Sequence, residues 1–211
     1  MPVWKPNRFC LFLSHVASKK ETAHTLKAAL ELHGVSCFVA HEDIEPTREW
    51  QDEIEEALRT MDALAALLSP DFHESKWTDQ EVGFAVGTGR LILPIRWGLD
   101  PYGFIAKYQG YQLAEGVQYT TVAKDVIKIL ARHGRTSLAC ARAMASSLED
   151  AVSWEEAKRT TSLLEECATI DEETLLRVEA AIQNNGQVKT AWGVPDRIEA
   201  LARRHRHVGN A

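Results

Sequence analysis

The sequence is short of the features that announce a metal centre, a secreted scaffold or a membrane anchor. Its four cysteines, Cys10, Cys37, Cys140 and Cys167, show no C-x-x-C spacing, so neither a zinc ribbon nor a disulfide framework is indicated, and they read as small buried hydrophobes. The eight histidines include no H-E-x-x-H or comparable pair, and no metal ligand set is expected. No run approaches the roughly 20 apolar residues of a membrane span. "MPVWKPNR" carries charge and two prolines where a signal peptide would be apolar, so a cytoplasmic protein with no membrane partner is expected. A net charge of -6 argues against a broad phosphate-neutralising face; nucleic acid is not an expected partner, and the basic "RRHRH" of 203–207 reads as a solvated terminus. The absence of G-x-G-x-x-G removes the Rossmann route to a dinucleotide.

What is present is an alternation. "RFCLFLS" (8–14), "VSCFVA" (35–40), "ALAALLS" (63–69) and "LILPIRW" (91–97) are apolar runs of strand length, of the kind seen in a sheet covered on both faces. Helical patterns separate them. One opens with Ser18 and Glu21 as a capping box and is closed by Gly34; the next carries Trp50, Ile54, Ala57, Leu58 and Met61 at helical spacing. The order implies right-handed crossovers and an α/β, flavodoxin-like parallel sheet of four to five strands with helices on both faces. Pro94 is expected near a sheet edge. After a helix over "TTVAKDVIKILARHG" no strand-like run follows, and an all-helical appendage of three or four helices is expected. Capping signals stand at Ser153 and Asp171, Gly186 is expected to close a helix, and Pro195 falls in the first turn of the last one. Its charged pairs read as solvated faces. The domain boundaries follow as 1–134 and 135–211.

Parallel sheets of this kind bind ligands beyond the carboxyl ends of their strands. That places Ser14 and His15, the loop 41–48, and Ser69 to Trp77 on one rim. The stretch "SKWTDQEVGF" (75–84) supports two readings. Trp77 and Glu81 share a helix face, as a ligand wall and an active carboxylate would. Thr78 to Glu81 also forms a capping box, with Thr78 as N-cap, Glu81 reaching back and Trp77 packing on Val82. An acidic cluster after the first strand, which a phosphoacceptor on a similar sheet needs, is missing from "LFLSHVAS".

Over about Arg8 to Leu113 these segments resemble the Toll/interleukin-1 receptor (TIR) domains. "FCLFLSH" is similar to the first box of that family, "HEDIEPTREWQDEIEEAL" to its BB loop and following helix, and "LLSPDFHESKWTDQEVGFA" to its S-x-x-[FY]-x-x-S-x-W-x-x-x-E segment, with Ser69, Phe72, Ser75, Trp77 and Glu81 in register. The resemblance is to the bacterial NAD-cleaving type, of which the TIR component of Thoeris-like antiphage systems is one form. It implies cleavage of the nicotinamide–ribose bond of NAD+, giving nicotinamide and ADP-ribose or a cyclic isomer, with NAD+ as substrate and no cofactor. Glu81 is the implied catalytic carboxylate, and Ser14, His15, Asp43, Trp77 and Trp97 are the implied substrate-binding residues. The same resemblance implies homo-oligomers through TIR–TIR contacts and a downstream effector that answers the product; the opposing reading is a non-catalytic scaffold that acts by homotypic assembly. Two departures stand out: Pro46-Thr47 replaces the family's glycine-containing loop dipeptide, and Val16 and Ala17 replace the basic residues that follow the first box in some relatives.

Overall fold

The computed structural model describes residues 2–39 and 48–208. The chain divides into two compact units, Met1–Pro6 with Cys10–Lys124 and Asn7–Phe9 with Asp125–Ala211. In the first, the four apolar runs form strands β1 (Phe9–Ser14), β2 (Val35–Val39), β3 (Ala63–Leu68) and β4 (Leu91–Arg96). A fifth, β5 (Tyr111–Gln112), is too short and too polar to stand out in the sequence. The sheet order is β2-β1-β3-β4-β5, and the β1–β3, β3–β4 and β4–β5 pairs are parallel. This is the flavodoxin-like order, in which the first connection steps one way and the later ones return the other. Every residue of β3 is buried, as a strand covered on both faces must be.

The flanking helices are α1 (Lys20–Glu31), α2 (Arg48–Thr60) and α3 (Thr78–Gly87); α4 (Tyr119–Arg132) follows, with its residues from Asp125 onward belonging to the second unit. In α1 the buried positions Ala23, Leu26, Ala29 and Leu30 repeat at three and four residues, and Gly34, at φ 81°, makes the left-handed turn that releases the chain into β2. The Ser18–Glu21 capping box does not form. A 3₁₀ turn, Ala17–Lys19, precedes the helix, and the Ser18 hydroxyl donates instead to Asp71, 2.5 Å away. The core joins Phe12 and Leu64 to Ile54, Leu58 and Met61 of α2, Val82 and Ala85 of α3, and Phe72.

Pro94 lies near the sheet edge, as expected, in the strand next to the short β5, and the hydrogen-bond parity explains why it is tolerated. Trp97 N–H donates to Leu68 C=O and Arg96 C=O accepts from Leu113 N–H, so odd-numbered residues of β4 bond toward β3 and even-numbered ones toward β5. The N–H that proline lacks would point at β5, whose pairing begins only at Ile95. Nothing is lost.

The second unit is helical: α5 (Ser137–Glu149), α6 (Trp154–Leu164), α7 (Glu172–Asn184), α8 (Gly186–Thr190) and α9 (Val194–Val208). Ser153 and Asp171 cap α6 and α7 as their sequence signals indicate, accepting from Glu156 N–H and Thr174 N–H. Gly186 opens α8 and closes nothing. Asn185 is the reason: its side-chain oxygen accepts from the N–H groups of Gln187 and Val188, while its amide donates to the carbonyls of Glu149 and Ala151. The charged residues here are not simply solvated faces. Arg177–Glu149, Arg197–Glu165 and Arg142–Asp171 are pairs between residues some thirty positions apart, at 2.5–2.6 Å. Being partly exposed, each is worth at most about 1 kcal/mol, and they fix helix register more than they add stability.

Candidate active site

Ser14 ends β1, and its side chain is fully buried against α3. That helix starts after the Pro70 break that ends β3, and it buries Thr78, Glu81, Val82 and Ala85, the i, i+3, i+4, i+7 stripe of a core-facing helix. A glutamate therefore sits at a position the pattern reserves for an apolar residue. Glu81 is 2% exposed, and its carboxylate accepts a 2.5 Å hydrogen bond from the Ser14 hydroxyl. A carboxylate is stable in such a place only when hydrogen-bonded. The capping-box reading does not hold. The N-cap position falls on Trp77, whose side chain caps nothing, and the Thr78 hydroxyl turns back to Phe72 C=O at 2.6 Å.

Trp77 is half-buried and packs on the hydrophobic core, as Phe84 does. His15 is buried at 4% exposure. Asp43 and Pro46 lie outside the described residues. At the end of β4, Trp97 lines a cleft of about 570 Å³ together with Lys19, Pro70, Gly98, Glu115 and Tyr119. Gly98, at φ 93°, turns the chain away directly beneath Pro70; a Cβ there would come within 3.1 Å of the proline ring. The Lys19 ammonium lies 4.7 Å from the Trp97 ring centroid, a cation–π distance.

The rim thus assembles in two parts. Ser14 and Glu81 are joined by a hydrogen bond, and Trp97 stands with Lys19 over the cleft, whose lining includes none of Ser14, His15, Trp77 or Glu81. The segments after β1 and β3 are tied by Asp71, which accepts from both Ser18 and Ser69. Those two hydroxyls, Ser18 foremost, hold its carboxyl below the usual carboxylate range. Lys19 and Asp71 were not singled out in the sequence. For Asp71 a local signal existed, the Ser69-Pro70-Asp71 turn chemistry; for Lys19 there was none, because its placement depends on the 3₁₀ turn.

The family model described as "TIR domain" matches residues 11–130. The chain belongs to the TIR domain family. A solved TIR domain, that of the Toll-related receptor TRR-2 from Hydra magnipapillata, is similar at 18% sequence identity and a TM-score of 0.45, over 56% of this chain and 98% of that one. No curated protein matches the chain. The matched span carries all of the sheet except Phe9 and Cys10, and every residue of the candidate site. Among the described residues, no helix of this TIR protein is long and apolar enough to cross a membrane.

Proposed function

We propose that this TIR protein cleaves NAD+ between nicotinamide and ribose, with Glu81 as the catalytic carboxylate. The observation that supports the reading most is the position of that carboxylate: buried at the carboxyl rim of a parallel sheet, on the helix face reserved for core residues, and held by Ser14 in place of a helix cap. The chemistry asks for little more. Nicotinamide in NAD+ is already a cationic leaving group, so no acid need protonate it, and bond breaking leaves an oxocarbenium-like ribose. A carboxylate in a site of low dielectric stabilises that cation strongly, and Ser14 fixes the direction in which its oxygens face. Water on the cation yields ADP-ribose; an adenine nitrogen on it yields a cyclic isomer.

The wider role we assign is cytoplasmic antiphage signalling, with the product switching on a separate effector and activity arising in homo-oligomers through TIR–TIR contacts. Activity per subunit should then rise with protein concentration. One observation favours a second reading, a non-catalytic scaffold that assembles homotypically: Glu81 is 2% exposed and does not line the cleft beside Trp97. Incubation of the protein and its Glu81→Gln variant with NAD+, with product masses as readout, separates the two. Nicotinamide release by the wild type alone supports catalysis. Equal release by both removes Glu81 from the chemistry, and none from either across a wide concentration range with infected lysate added leaves the scaffold.

A further inference from the structure

The sequence lacks the basic residues that follow the first strand in some TIR domains, yet the fold returns a cation to the rim two positions later. Lys19 N–H closes the 3₁₀ turn onto Val16 C=O at 2.9 Å, and the turn swings the side chain out over Trp97. Both side chains are half-buried and both line the same cleft. At about 570 Å³ that cleft falls within the range of about 300–1,000 Å³ typical of small-molecule sites. Its remaining lining includes the apolar side chains of Pro70, Leu113 and Val117, and Tyr119.

The charges around it are unequal partners. Glu115 lines the cleft, and the Asp71 carboxylate lies within the field of Lys19. Without Lys19, the charge facing an incoming ligand would be negative. With it, an indole face is covered by an ammonium that has a long flexible stem of four rotatable bonds, while the shorter Trp97 side chain leaves a main chain held by its backbone N–H donating to Leu68 C=O at 2.9 Å. One of the two can move.

We propose that Lys19 is the specificity-determining residue of this cleft: it covers Trp97 until a flat heteroaromatic ligand bearing phosphate arrives, then yields the ring face to the ligand's base and takes its phosphate. A neutral ligand breaks the cation–π contact and gives the ammonium nothing in return. A phosphorylated one replaces it with a charge-assisted hydrogen bond. The proposal rests on the reading that this rim receives part of NAD+, and it names which side chain reads the anion.

The test titrates ADP and adenosine, the same ring with and without phosphate, into the full-length wild type, Lys19→Gln, Lys19→Arg and Trp97→Leu by calorimetry at two salt concentrations. Wild type should prefer ADP over adenosine by roughly tenfold or more, the scale of one charge-assisted contact at a half-exposed site. Lys19→Gln should lose that preference and most of its salt dependence while adenosine binding holds or improves; Lys19→Arg should keep the preference; Trp97→Leu should weaken both ligands. Equal ADP affinity in wild type and Lys19→Gln overturns the proposal, and so does failure of wild type to bind ADP. NAD+ turnover separates this from the catalytic reading. Cleavage with an unchanged KM in Lys19→Gln sinks the role of Lys19 and leaves Glu81 standing. Lys19-dependent ADP binding in a protein that never cleaves NAD+ does the reverse.

Discussion

The Ser14–Glu81 bond admits a quantitative test that needs no substrate. Ser14→Ala removes the donor from a carboxylate with 2% exposure, and a hydrogen bond to a charged group contributes about 1.5–3 kcal/mol. Glu81→Gln keeps the size and an acceptor oxygen but leaves a neutral bond of about 0.5–1.5 kcal/mol, while relieving part of the cost of burying a charge. Ser14→Ala should therefore destabilise the wild type by about 2 kcal/mol and the Glu81→Gln background by about 1 kcal/mol, a coupling of about 1 kcal/mol. That exceeds the roughly 0.3–0.5 kcal/mol within which distant sites add. Urea unfolding of the four proteins at neutral pH, followed by tryptophan fluorescence, measures the cycle. Coupling within the additivity error would mean that the hydrogen bond does not exist in solution, and the argument that Ser14 aims the carboxylate would go with it. The same variants separate folding from chemistry. Glu81→Gln should stay within about 1 kcal/mol of wild-type stability while losing on the order of 10² to 10⁴ in NAD+ cleavage.

Other outcomes follow from the helical unit and the thiols. Burial opposes ionisation of Asp171, but hydrogen bonds from Thr174 and Arg142 and the Arg142 charge outweigh it and lower its carboxyl to about 2. Its contribution is thus present above the unfolded value of 3.8 and lost as pH falls toward about 2; Asp171→Asn, which keeps the cap and removes the charge, should be less stable at neutral pH and converge with wild type over that window in acid-unfolding curves. Asn185→Ala deletes a cap for α8 and two bonds to the chain between α5 and α6, and a loss of about 2–3 kcal/mol in urea unfolding is expected; a loss under about 0.5 kcal/mol would reject the account of that helix. Burial pushes the thiols of Cys37 and Cys167 up to about 12, so iodoacetamide at pH 8 should alkylate these two only as fast as the protein unfolds, whereas Cys10 is only half-buried; rapid labelling of Cys37 or Cys167 in the native protein would contradict their placement.

The four main strands were legible because each is a continuous apolar run, a pattern that only a doubly covered strand needs. Glu81 was legible by register with a family motif, but its environment was not: Thr78 to Glu81 spells a capping box, and only the burial of Thr78 and the nearness of Ser14 show that the helix starts one residue earlier and sends the carboxylate inward. Strand β5 was invisible because two residues carry no period, and its pairing depends on Arg96 and Leu113 meeting in space. Lys19 escaped notice for a similar reason, since no spacing relates it to Trp97. Gly186 misled because glycine commonly ends helices, whereas the Asn185 side chain here starts one.

The brevity of β5, together with Pro94 beside it, has a bearing on how the protein survives at high concentration. A sheet margin with many open amides invites a stranger's backbone to dock and continue the ladder, which is how fibrils begin. This margin offers a row two residues long, followed inward by an imino acid that can donate nothing, and the Gln112 amide already lies across the Arg96 and Leu113 carbonyls. On that flank runaway stacking finds almost no foothold.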